Sequence, residues 1–257
     1  MEQYKGKKVF ITGASSGIGR EIAVAFAAKG AEIAFSYCKN KSGAKETQEL
    51  LYKIGSKSYA FPADFSDSKN LPLFLQKVYE KIKEIDIFIN NAGTLISSSD
   101  FLTISTQSLQ KTISVNFLSP FILTQKIAQR MIDQNIRGAI INISSMSTRF
   151  LSVGSTHYEC SKAALDALTR GAAYALAPYH IRVNGIASGS IATEINKKQR
   201  IKDPEGWIKR SKKLPLGDEG KPGDIANACI FLSSKAAKWI TGTTLIVDGG
   251  ASLMNPF

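Results

Sequence analysis

A chain of 257 residues can form one large domain with its own core, and its composition of 44% hydrophobic and 21% charged residues is typical of a globular protein. Three widely separated cysteines argue against a disulfide scaffold or a zinc knuckle, and two histidines cannot form a multi-histidine metal site. The formal net charge of +12 leaves open an anionic substrate, a nucleic-acid partner or a solvated basic surface.

The sequence contains no segment that is typical of export or membrane insertion. Its start, "MEQYKGKKVFITG", lacks an apolar signal region, and no apolar run approaches the roughly 18 residues that a transmembrane helix needs. Together with the cysteine content, this predicts a cytoplasmic protein without a transmembrane helix.

Short apolar runs alternate with amphipathic stretches along the chain. A helix predicted over 19–30 ends at a glycine suited to the C′ position, and another over 161–178 ends at Pro178. This alternation predicts an α/β fold: a doubly wound Rossmann-type parallel sheet of about seven strands with helices on both faces. We find no linker and no fixed-period repeat, so we expect one domain over residues 1–257. The predicted strands cover residues 7–12, 31–36, 57–62, 86–90, 138–144, 181–187 and 243–249.

The first chemical signal is "TGASSGIG" at residues 12–19, between the first strand and the first helix. A glycine-rich turn of this kind presents backbone N–H groups and a helix N-terminus to a phosphate. Gly13 suits the tight turn, Gly17 the close approach of a ligand, and Gly19 the packing of helix on strand. The spacing is neither GxGxxG nor a Walker motif, and a tight turn without a ligand is the alternative.

The end of the second strand bears on the choice of dinucleotide. An acidic residue there would bond the adenosine ribose and favour NAD, but this strand ends "FSYCKN", with Tyr37 at that position. Lys39 can attract a 2′-phosphate, so we expect NADP(H) to be favoured over NAD(H). The alternative is that Lys39 only contributes surface charge.

The stretch "HYECSK" at 157–162 places Tyr158 four residues before Lys162, one helical turn apart. The spacing alone does not distinguish a catalytic pair from coincidence, because the same pattern recurs elsewhere in this lysine-rich chain. The other copies are Tyr4/Lys8, Tyr37/Lys41 and Tyr79/Lys83.

From Lys7 to about Gly250 the chain resembles the short-chain dehydrogenase/reductase family. The ordered set of motifs, more than any single one, carries the resemblance and favours Tyr158/Lys162 over the other copies. In order, the motifs are "TGASSGIG" at 12–19, Asp64, "NNAG" at 90–93, Asn116, "ISS" at 143–145, "YECSK" at 158–162 and "VDGG" at 247–250.

The resemblance implies an enzyme that interconverts a carbonyl and a secondary alcohol with NAD(P)(H). It implies a catalytic tetrad of Asn116, Ser145, Tyr158 and Lys162, with Ser144 in a structural role. It places Asp64 at the adenine, Asn91 to Gly93 at the adenosine ribose, and Ile191 and Thr193 near the nicotinamide carboxamide. The implied cofactor contacts are Gly13, Ser15, Ser16, Gly17, Ile18, Gly19, Tyr37, Lys39, Asp64, Asn91, Ala92, Gly93, Tyr158, Lys162, Ile191 and Thr193.

These residue types suit the implied reaction. A tyrosine with a pKa of about 10 is a poor base near neutrality. The positive charges of Lys162 and oxidised nicotinamide should lower that pKa. Ser145 would stabilise charge on the substrate oxygen, and Asn116 would help to hold a water for proton relay. Considered singly, each residue could equally serve packing or solvation.

One departure from the family concerns the loop before the nicotinamide contacts. The family often has Pro-Gly where this chain has Ser188-Gly189. Since proline restricts the backbone, we expect a less rigid loop here.

The substrate is the least determined feature. The resemblance implies a substrate lid at about 190–215, which overlaps the densest basic run, residues 196–213. A cationic lid favours an anionic substrate, so we expect NADPH-dependent reduction of a 3-oxoacyl thioester on acyl carrier protein or coenzyme A. A solvated basic loop is the alternative explanation of this run.

Two other functions stay open. The segments "DPE" and "GGASLMNPF" are similar to glucose 1-dehydrogenases, which makes a sugar or polyol dehydrogenase the alternative. A basic nucleic-acid or regulatory module is a further alternative, supported only by the pI of about 9.5. The resemblance also implies a homotetramer or dimer, with helices near 100–134 and 158–178 at one interface and the carboxy-terminal strand at another.

Overall fold

The computed structural model of the protein describes residues 3–194 and 196–254. The two ends of the predicted domain 1–257, position 195 in the predicted lid, and the side chains at positions 198 and 199 lie outside the described residues.

The described residues form one parallel sheet of seven strands in the order β3-β2-β1-β4-β5-β6-β7, which confirms the predicted fold class. Each strand begins and ends within two residues of its prediction. The strands are Lys8–Ile11 (β1), Glu32–Tyr37 (β2), Ser58–Pro62 (β3), Ile87–Asn90 (β4), Ala139–Ser145 (β5), Arg182–Ser188 (β6) and Thr244–Val247 (β7).

Helices connect the strands and cover both faces of the sheet. A five-residue π-helical segment, Ser114–Leu118, joins the fourth helix to the fifth. The helices are Gly17–Ala27 (α1), Lys41–Lys53 (α2), Leu71–Ile82 (α3), Thr106–Ile113 (α4), Ser119–Asp133 (α5), Thr156–Leu176 (α6), Lys197–Lys202 (α7), Pro204–Ser211 (α8) and Pro222–Ser233 (α9).

The strand residues alternate between two cores. In β1, Val9 and Ile11 pack in a cluster with buried residues of α1, α2 and α9, whereas Phe10 faces a cluster with buried residues of α3, α5 and α6. Phe10 stacks on Phe88 of β4 with ring centroids 5.4 Å apart. This period-two alternation explains why the strands are apolar throughout, since both faces are covered.

The helix boundaries differ from the predicted ones at the start of α6. This helix begins at Thr156, five residues before the predicted start, so that Tyr158 lies in its first turn. At the end of α1, Gly30 has φ +91° and Ala31 N–H donates to the Phe26 carbonyl, which is the predicted glycine C′ arrangement.

Among the described residues, no helix is both long enough and apolar enough to cross a membrane.

Candidate active site

A cleft of about 640 Å³ opens at the carboxyl edge of the sheet, across the point between β1 and β4 where the strand order reverses. Ligands of open α/β sheets bind at such a switch point. The structure brings all the predicted cofactor contacts together around this cleft. They are Gly13, Ser15, Ser16, Gly17, Ile18, Gly19, Tyr37, Lys39, Asp64, Asn91, Ala92, Gly93, Tyr158, Lys162, Ile191 and Thr193.

The glycine-rich turn between β1 and α1 has the shape that a pyrophosphate needs. Gly17 has φ +56° and is the first residue of α1, so the N–H groups of the first turn face the cleft. A Cβ on Gly19 would overlap the Gly13 carbonyl oxygen. The start of α1 therefore packs closely against the backbone at Gly13, and both line the cleft. These residues fit a dinucleotide phosphate.

Three side chains that sequence reasoning missed hold this turn in place. Arg20 donates to the Ser15 carbonyl at 2.7 Å and to the Gly43 carbonyl at 3.0 Å. The Ser36 hydroxyl, at the end of β2, accepts the Gly13 N–H at 3.1 Å. Thr47 donates to the Ala14 carbonyl at 2.9 Å. A serine at the end of an otherwise apolar strand was the one available signal.

The "NNAG" motif fastens β4 to the turn. The Asn91 side chain donates to the Thr12 and Gly13 carbonyls at 2.9 and 2.8 Å. The Thr12 hydroxyl in turn accepts the N–H groups of Asn91 and Ala92 at 2.9 and 3.0 Å. The Asn91 amide is thus engaged with backbone, while the backbone of Ala92 and Gly93 borders the cleft.

The predicted adenosine end of the cleft carries both signs of charge. Backbone and side-chain hydrogen bonds from Ser66 hold the pKa of Asp64 below its usual value. Lys39 lies here as predicted, and Lys111 of α4 lines the same end although no sequence signal pointed to it. Both lysines act electrostatically on Asp64 and on Cys38, so they lie near one another.

Three of the four predicted catalytic side chains meet at the other end of the cleft. The Ser145 hydroxyl, at the end of β5, accepts the Ser147 N–H at 3.2 Å and lies close enough to the Tyr158 side chain of α6 to affect its pKa. The Lys162 ammonium lies 5.8 Å from the centroid of the Tyr158 ring and donates to the Ile143 carbonyl at 2.8 Å. The neighbouring Ser144 is buried, in keeping with the structural role that the resemblance implies.

Burial shifts the pKa of both α6 residues. It lowers the pKa of Lys162 to about 8, against the opposing effect of the Asp166 carboxylate. Burial also raises the pKa of Tyr158, and the nearby Ser145 side chain opposes this. The expected lowering of the Tyr158 pKa is therefore not supplied by Lys162 alone, because desolvation outweighs a cation that lies over the ring and bonds a carbonyl.

Asn116 lies behind the cleft wall, within the π-helical segment. Its side chain accepts the Thr94 N–H at 2.8 Å and donates to the Thr94 carbonyl and the Ser161 hydroxyl, both at 3.0 Å. A Cβ on Gly93 would lie 3.5 Å from Asn116 Oδ1 and 3.6 Å from Lys162 Nζ, so both approach Gly93. The π-helical segment directs the Asn116 side chain towards Thr94 and Ser161, a direction that an unbroken α-helix would change.

The loop after β6 is better anchored than its sequence indicated. Ser188 belongs to β6, pairs with Val247 of β7, and donates its hydroxyl to the Ser144 carbonyl at 3.2 Å. A Cβ on Gly189 would lie 2.6 Å from Asp248 Cα, so the next residue is packed against backbone. These contacts restrain the loop where the family's proline is absent, and the expectation of a less rigid loop stays a prediction.

The residues predicted near the nicotinamide are also fixed by backbone contacts. Ile191 forms an isolated parallel bridge with Gly220. The Asn196 side chain donates to the Ile191 carbonyl at 2.8 Å and accepts the Thr193 N–H at 3.0 Å. α7 and α8 follow directly, within the predicted lid.

A second concavity, of about 1130 Å³, lies at the opposite edge of the sheet, beside the starts of β4, β5 and β6. It is larger than the first, but its polar side chains include Tyr4 and Arg182, which bond carbonyls near the end of α9, and Lys7 and Asp86, which pair with each other. Arg182 donates to the carbonyls of Leu232 and Ser234 at the end of α9, at 2.6 and 3.3 Å. We therefore assign the chemistry to the smaller cleft.

Comparison with known proteins agrees with this geometry. The family model described as "Enoyl-(Acyl carrier protein) reductase" matches residues 13–252. L-rhamnose 1-dehydrogenase (NADP(+)) of Thermoplasma acidophilum is 36% identical over 250 residues, which are 97% of this chain and 98% of that one. The chain belongs to the short-chain dehydrogenase/reductase family. It is an NAD(P)-dependent oxidoreductase that acts on a CH–OH or C=O group.

Other members of the family are comparably similar. The 7alpha-hydroxysteroid dehydrogenase of Escherichia coli K12 is 35% identical over 95% of this chain and 94% of its own. A blue fluorescent protein from a metagenomic library, solved in complex with NADPH, superposes with a TM-score of 0.88 at 32% identity, over 96% of this chain and 98% of that one.

Proposed function

We propose that the protein oxidises a sugar at a secondary or anomeric hydroxyl, with NADP(H) favoured over NAD(H), and that Asn116, Ser145, Tyr158 and Lys162 form its catalytic tetrad. The observation that carries the catalytic proposal is the meeting of Ser145, Tyr158 and Lys162 at one end of the dinucleotide cleft. The similarity to L-rhamnose 1-dehydrogenase supports the sugar substrate.

When bound in the cleft, the nicotinamide cofactor would supply the donor or acceptor of a hydride for the substrate carbon. The Ser145 hydroxyl bonds the substrate oxygen and stabilises the charge that develops there. The Tyr158 hydroxyl takes the proton of the alcohol during oxidation and returns it during reduction. Lys162 holds the nicotinamide ribose and keeps a positive charge near the tyrosine. Asn116, behind Gly93, helps to hold a water for proton relay.

The sugar alternative has more support than 3-oxoacyl reduction, which the sequence led us to favour. The relatives with similar length and coverage include L-rhamnose 1-dehydrogenases from several organisms. An acyl carrier is supported only by the basic lid and by the general description of the matching family model. Part of the lid's positive charge is paired locally: Lys197 with Glu194 and Arg210 with Asp203, both at 3.2 Å. The basic run is thus compatible with a solvated surface.

The preference for NADP(H) rests on the adenosine end of the cleft. Tyr37 stands where an acidic residue would favour NAD, and two lysines, Lys39 and Lys111, line the same end. Together they can balance a 2′-phosphate, which carries more charge than the hydroxyl of NAD. The similarity to a dehydrogenase named for NADP(+) and to a protein solved with NADPH supports the same choice.

A second candidate substrate is an alcohol with a large apolar body. The segments that leave β5 and β4 at the carboxyl edge of the sheet carry strongly exposed apolar side chains: Leu151 and Val153 after β5, and Phe101 and Leu102 after β4. Such side chains favour an apolar ligand over a fully hydroxylated sugar, because burying them on binding is favourable. The similarity to a hydroxysteroid dehydrogenase supports this candidate.

We further propose that residues 190–215 act as the substrate lid of a single catalytic domain, and that the protein is a homotetramer or dimer. Exposed apolar side chains on α5 and α6, such as Phe121 and Tyr174, support an interface along these helices. Leu245 of the edge strand β7 supports the second interface.

A single assay tests the proposed activity. Purified protein is incubated with NADP⁺ or NAD⁺ and with L-rhamnose, D-glucose or a 7α-hydroxysteroid, and reduced nicotinamide is followed by absorbance. NADPH with a 3-oxoacyl thioester forms the reverse arm. Fastest turnover of a sugar with NADP⁺ supports the proposal, and fastest turnover of the steroid supports the second candidate. Turnover of the thioester alone would return 3-oxoacyl reduction to first place.

A further inference from the structure

The acidic residue beside the proposed catalytic tyrosine faces inwards. Glu159 follows Tyr158 directly, yet only 5% of it is exposed. Its carboxylate oxygen Oε1 accepts the Ser152 N–H at 2.7 Å and the Ser152 hydroxyl at 3.3 Å. A charged acceptor makes a stronger hydrogen bond than a neutral one, and burial strengthens it further.

Ser152 belongs to the segment that joins the two proposed catalytic elements. This segment, residues 149–155, follows the short helix Met146–Thr148 after β5 and leads into α6. Ser145 therefore precedes it and Tyr158 follows it. The bond from Glu159 closes the segment into a loop whose two ends carry proposed catalytic side chains.

A second contact fastens the same segment to the chain that follows β4. The Ser98 N–H donates to the Gly154 carbonyl at 3.0 Å. Gly154 has φ +76°, and a Cβ there would overlap the Ser98 carbonyl oxygen, so a side chain is excluded. Residues 149–155 are thus held at Ser152 by α6 and at Gly154 by the chain that follows β4.

These two contacts hold the backbone of a segment that exposes apolar side chains. Ser152 is exposed although its N–H is bonded to Glu159, and its neighbours Leu151 and Val153 are each 80% exposed. Among the exposed large apolar side chains of the described residues, these two lie nearest in sequence to Tyr158. Their direction depends on the backbone at Ser152, which the Glu159 carboxylate holds.

We propose that Glu159 is a positioning residue, whose carboxylate fixes residues 149–155 as a wall of the substrate site and so orients the bound alcohol against Tyr158. The proposal rests on the proposed function, because it takes Ser145 and Tyr158 as catalytic. A purely structural role, as an anion near the N-terminus of α6, is the alternative that the experiment separates.

The first arm of the test is kinetic, with L-rhamnose as the alcohol and saturating NADP⁺. Because Glu159→Ala leaves the Ser152 N–H without its buried acceptor, we expect KM for L-rhamnose to rise about tenfold. kcat should change less, and the dissociation constant of NADPH should not change. Glu159→Gln should recover most of the loss, since its amide oxygen can accept the same N–H, and Ser152→Ala should have the smallest effect.

The matched control is Asp86→Ala. The Asp86 carboxylate also accepts a backbone N–H, from Lys8 at 2.9 Å, but it lies at the opposite edge of the sheet. We expect this variant to lose stability without a change in KM. If Asp86→Ala and Glu159→Ala raise KM equally, Glu159 is structural only and the proposal is overturned.

The second arm is hydrogen–deuterium exchange, which does not depend on turnover. Glu159→Ala should speed exchange in residues 149–155, and Asp86→Ala should not. Unchanged exchange there, in a folded Glu159→Ala or Glu159→Gln protein, overturns the proposal. If no alcohol is oxidised by the wild type, the proposed function fails, and the exchange comparison alone decides whether Glu159 holds the segment.

Discussion

The two edges of the sheet differ in size and in chemistry. The carboxyl-edge cleft has about 640 Å³, and the amino-edge concavity has about 1130 Å³. At the carboxyl edge α1 begins at Gly17, with the backbone N–H groups of its first turn facing the cleft. At the amino edge α9 ends, and its carbonyls already accept hydrogen bonds, from Tyr4 to Ile230 at 2.6 Å and from Arg182 to Leu232 at 2.6 Å.

The difference follows from the polarity of a parallel α/β fold. Each helix that follows a strand begins at the carboxyl edge, where unpaired N–H groups and the positive end of the helix dipole are available for an anion. Helices end at the amino edge, where cationic side chains bond their last carbonyls. The size of a cavity therefore does not indicate the candidate site here. The direction of the helices does, because their N-termini lie at the carboxyl edge.

The largest expected effect is a difference in turnover between substitutions in two copies of the Tyr-x-x-x-Lys pattern. Tyr158→Phe should lower kcat/KM by about a thousandfold, because it removes the proposed proton-transfer group, while NADPH binding persists. Tyr4→Phe, from the Tyr4/Lys8 copy at the amino edge, should leave turnover unchanged and cost about 1 kcal/mol of stability through the lost bond to Ile230. Steady-state kinetics and thermal unfolding measure both, and near-normal turnover of Tyr158→Phe would overturn the mechanism.

The next comparison is between two glycine-to-alanine substitutions, one at each edge of the sheet. Gly19→Ala should weaken NADPH binding by roughly ten- to a hundredfold, because the added carbon overlaps the Gly13 carbonyl and distorts the turn. Gly138→Ala at the amino edge places a carbon 2.6 Å from Met131 Sδ and should reduce stability but not NADPH affinity. Isothermal titration calorimetry and unfolding distinguish the two outcomes, and equal affinity loss in both would contradict the assignment of the cleft.

The choice of cofactor should depend on lysines of one edge only. Lys39→Ala and Lys111→Ala should each reduce the preference for NADP⁺ over NAD⁺ about tenfold, the loss expected for a hydrogen bond to a charged group. Lys238→Ala, a lysine that lines the amino-edge concavity, is the control and should leave the ratio unchanged. The ratio of kcat/KM for the two cofactors measures this, and an unchanged ratio in both cleft variants would remove the basis for NADP(H).

The smallest expected effect is a shift in pH dependence. Burial lowers the pKa of Lys162 to about 8, so Lys162 loses its charge above that pH and NADPH affinity should fall. The Asp166 carboxylate favours the ammonium, so Asp166→Asn should lower this pKa further and move the fall to lower pH. Asp86→Asn at the amino edge should not move it. Calorimetric titrations at a series of pH values measure the shift, and a shift to higher pH would contradict the sign.

Much of the fold could be predicted because local pattern and global structure agree. Runs such as "VFI" in β1 are apolar throughout since both faces of a parallel sheet are covered, and turn or polar residues bound each run. The start of α6 was placed too late, because Thr156 to Cys160 lack a regular apolar pattern and their helix is set by packing. A periodic pattern reveals a helix that has one buried and one exposed face. The first turn of α6 lacks this contrast, because most of its residues are buried or half-buried.

The candidate site was predicted unevenly, for a physical reason. The order and spacing of glycines, Tyr158 and Lys162 could be read from the sequence, since each belongs to one continuous segment. Lys111 was missed because a lysine on α4 is unremarkable until the fold places it beside Lys39.

The sequence by itself indicated the parallel α/β architecture, the glycine-rich turn after β1 and the spacing of Tyr158 and Lys162 by one helical turn, because these depend on residues that are close along the chain. Only the tertiary structure decided that Glu159 points to Ser152, that Asn116 reaches Thr94, and that burial brings the pKa of Lys162 to about 8. Direction and burial of a side chain depend on contacts between distant segments, and no spacing within one segment specifies them.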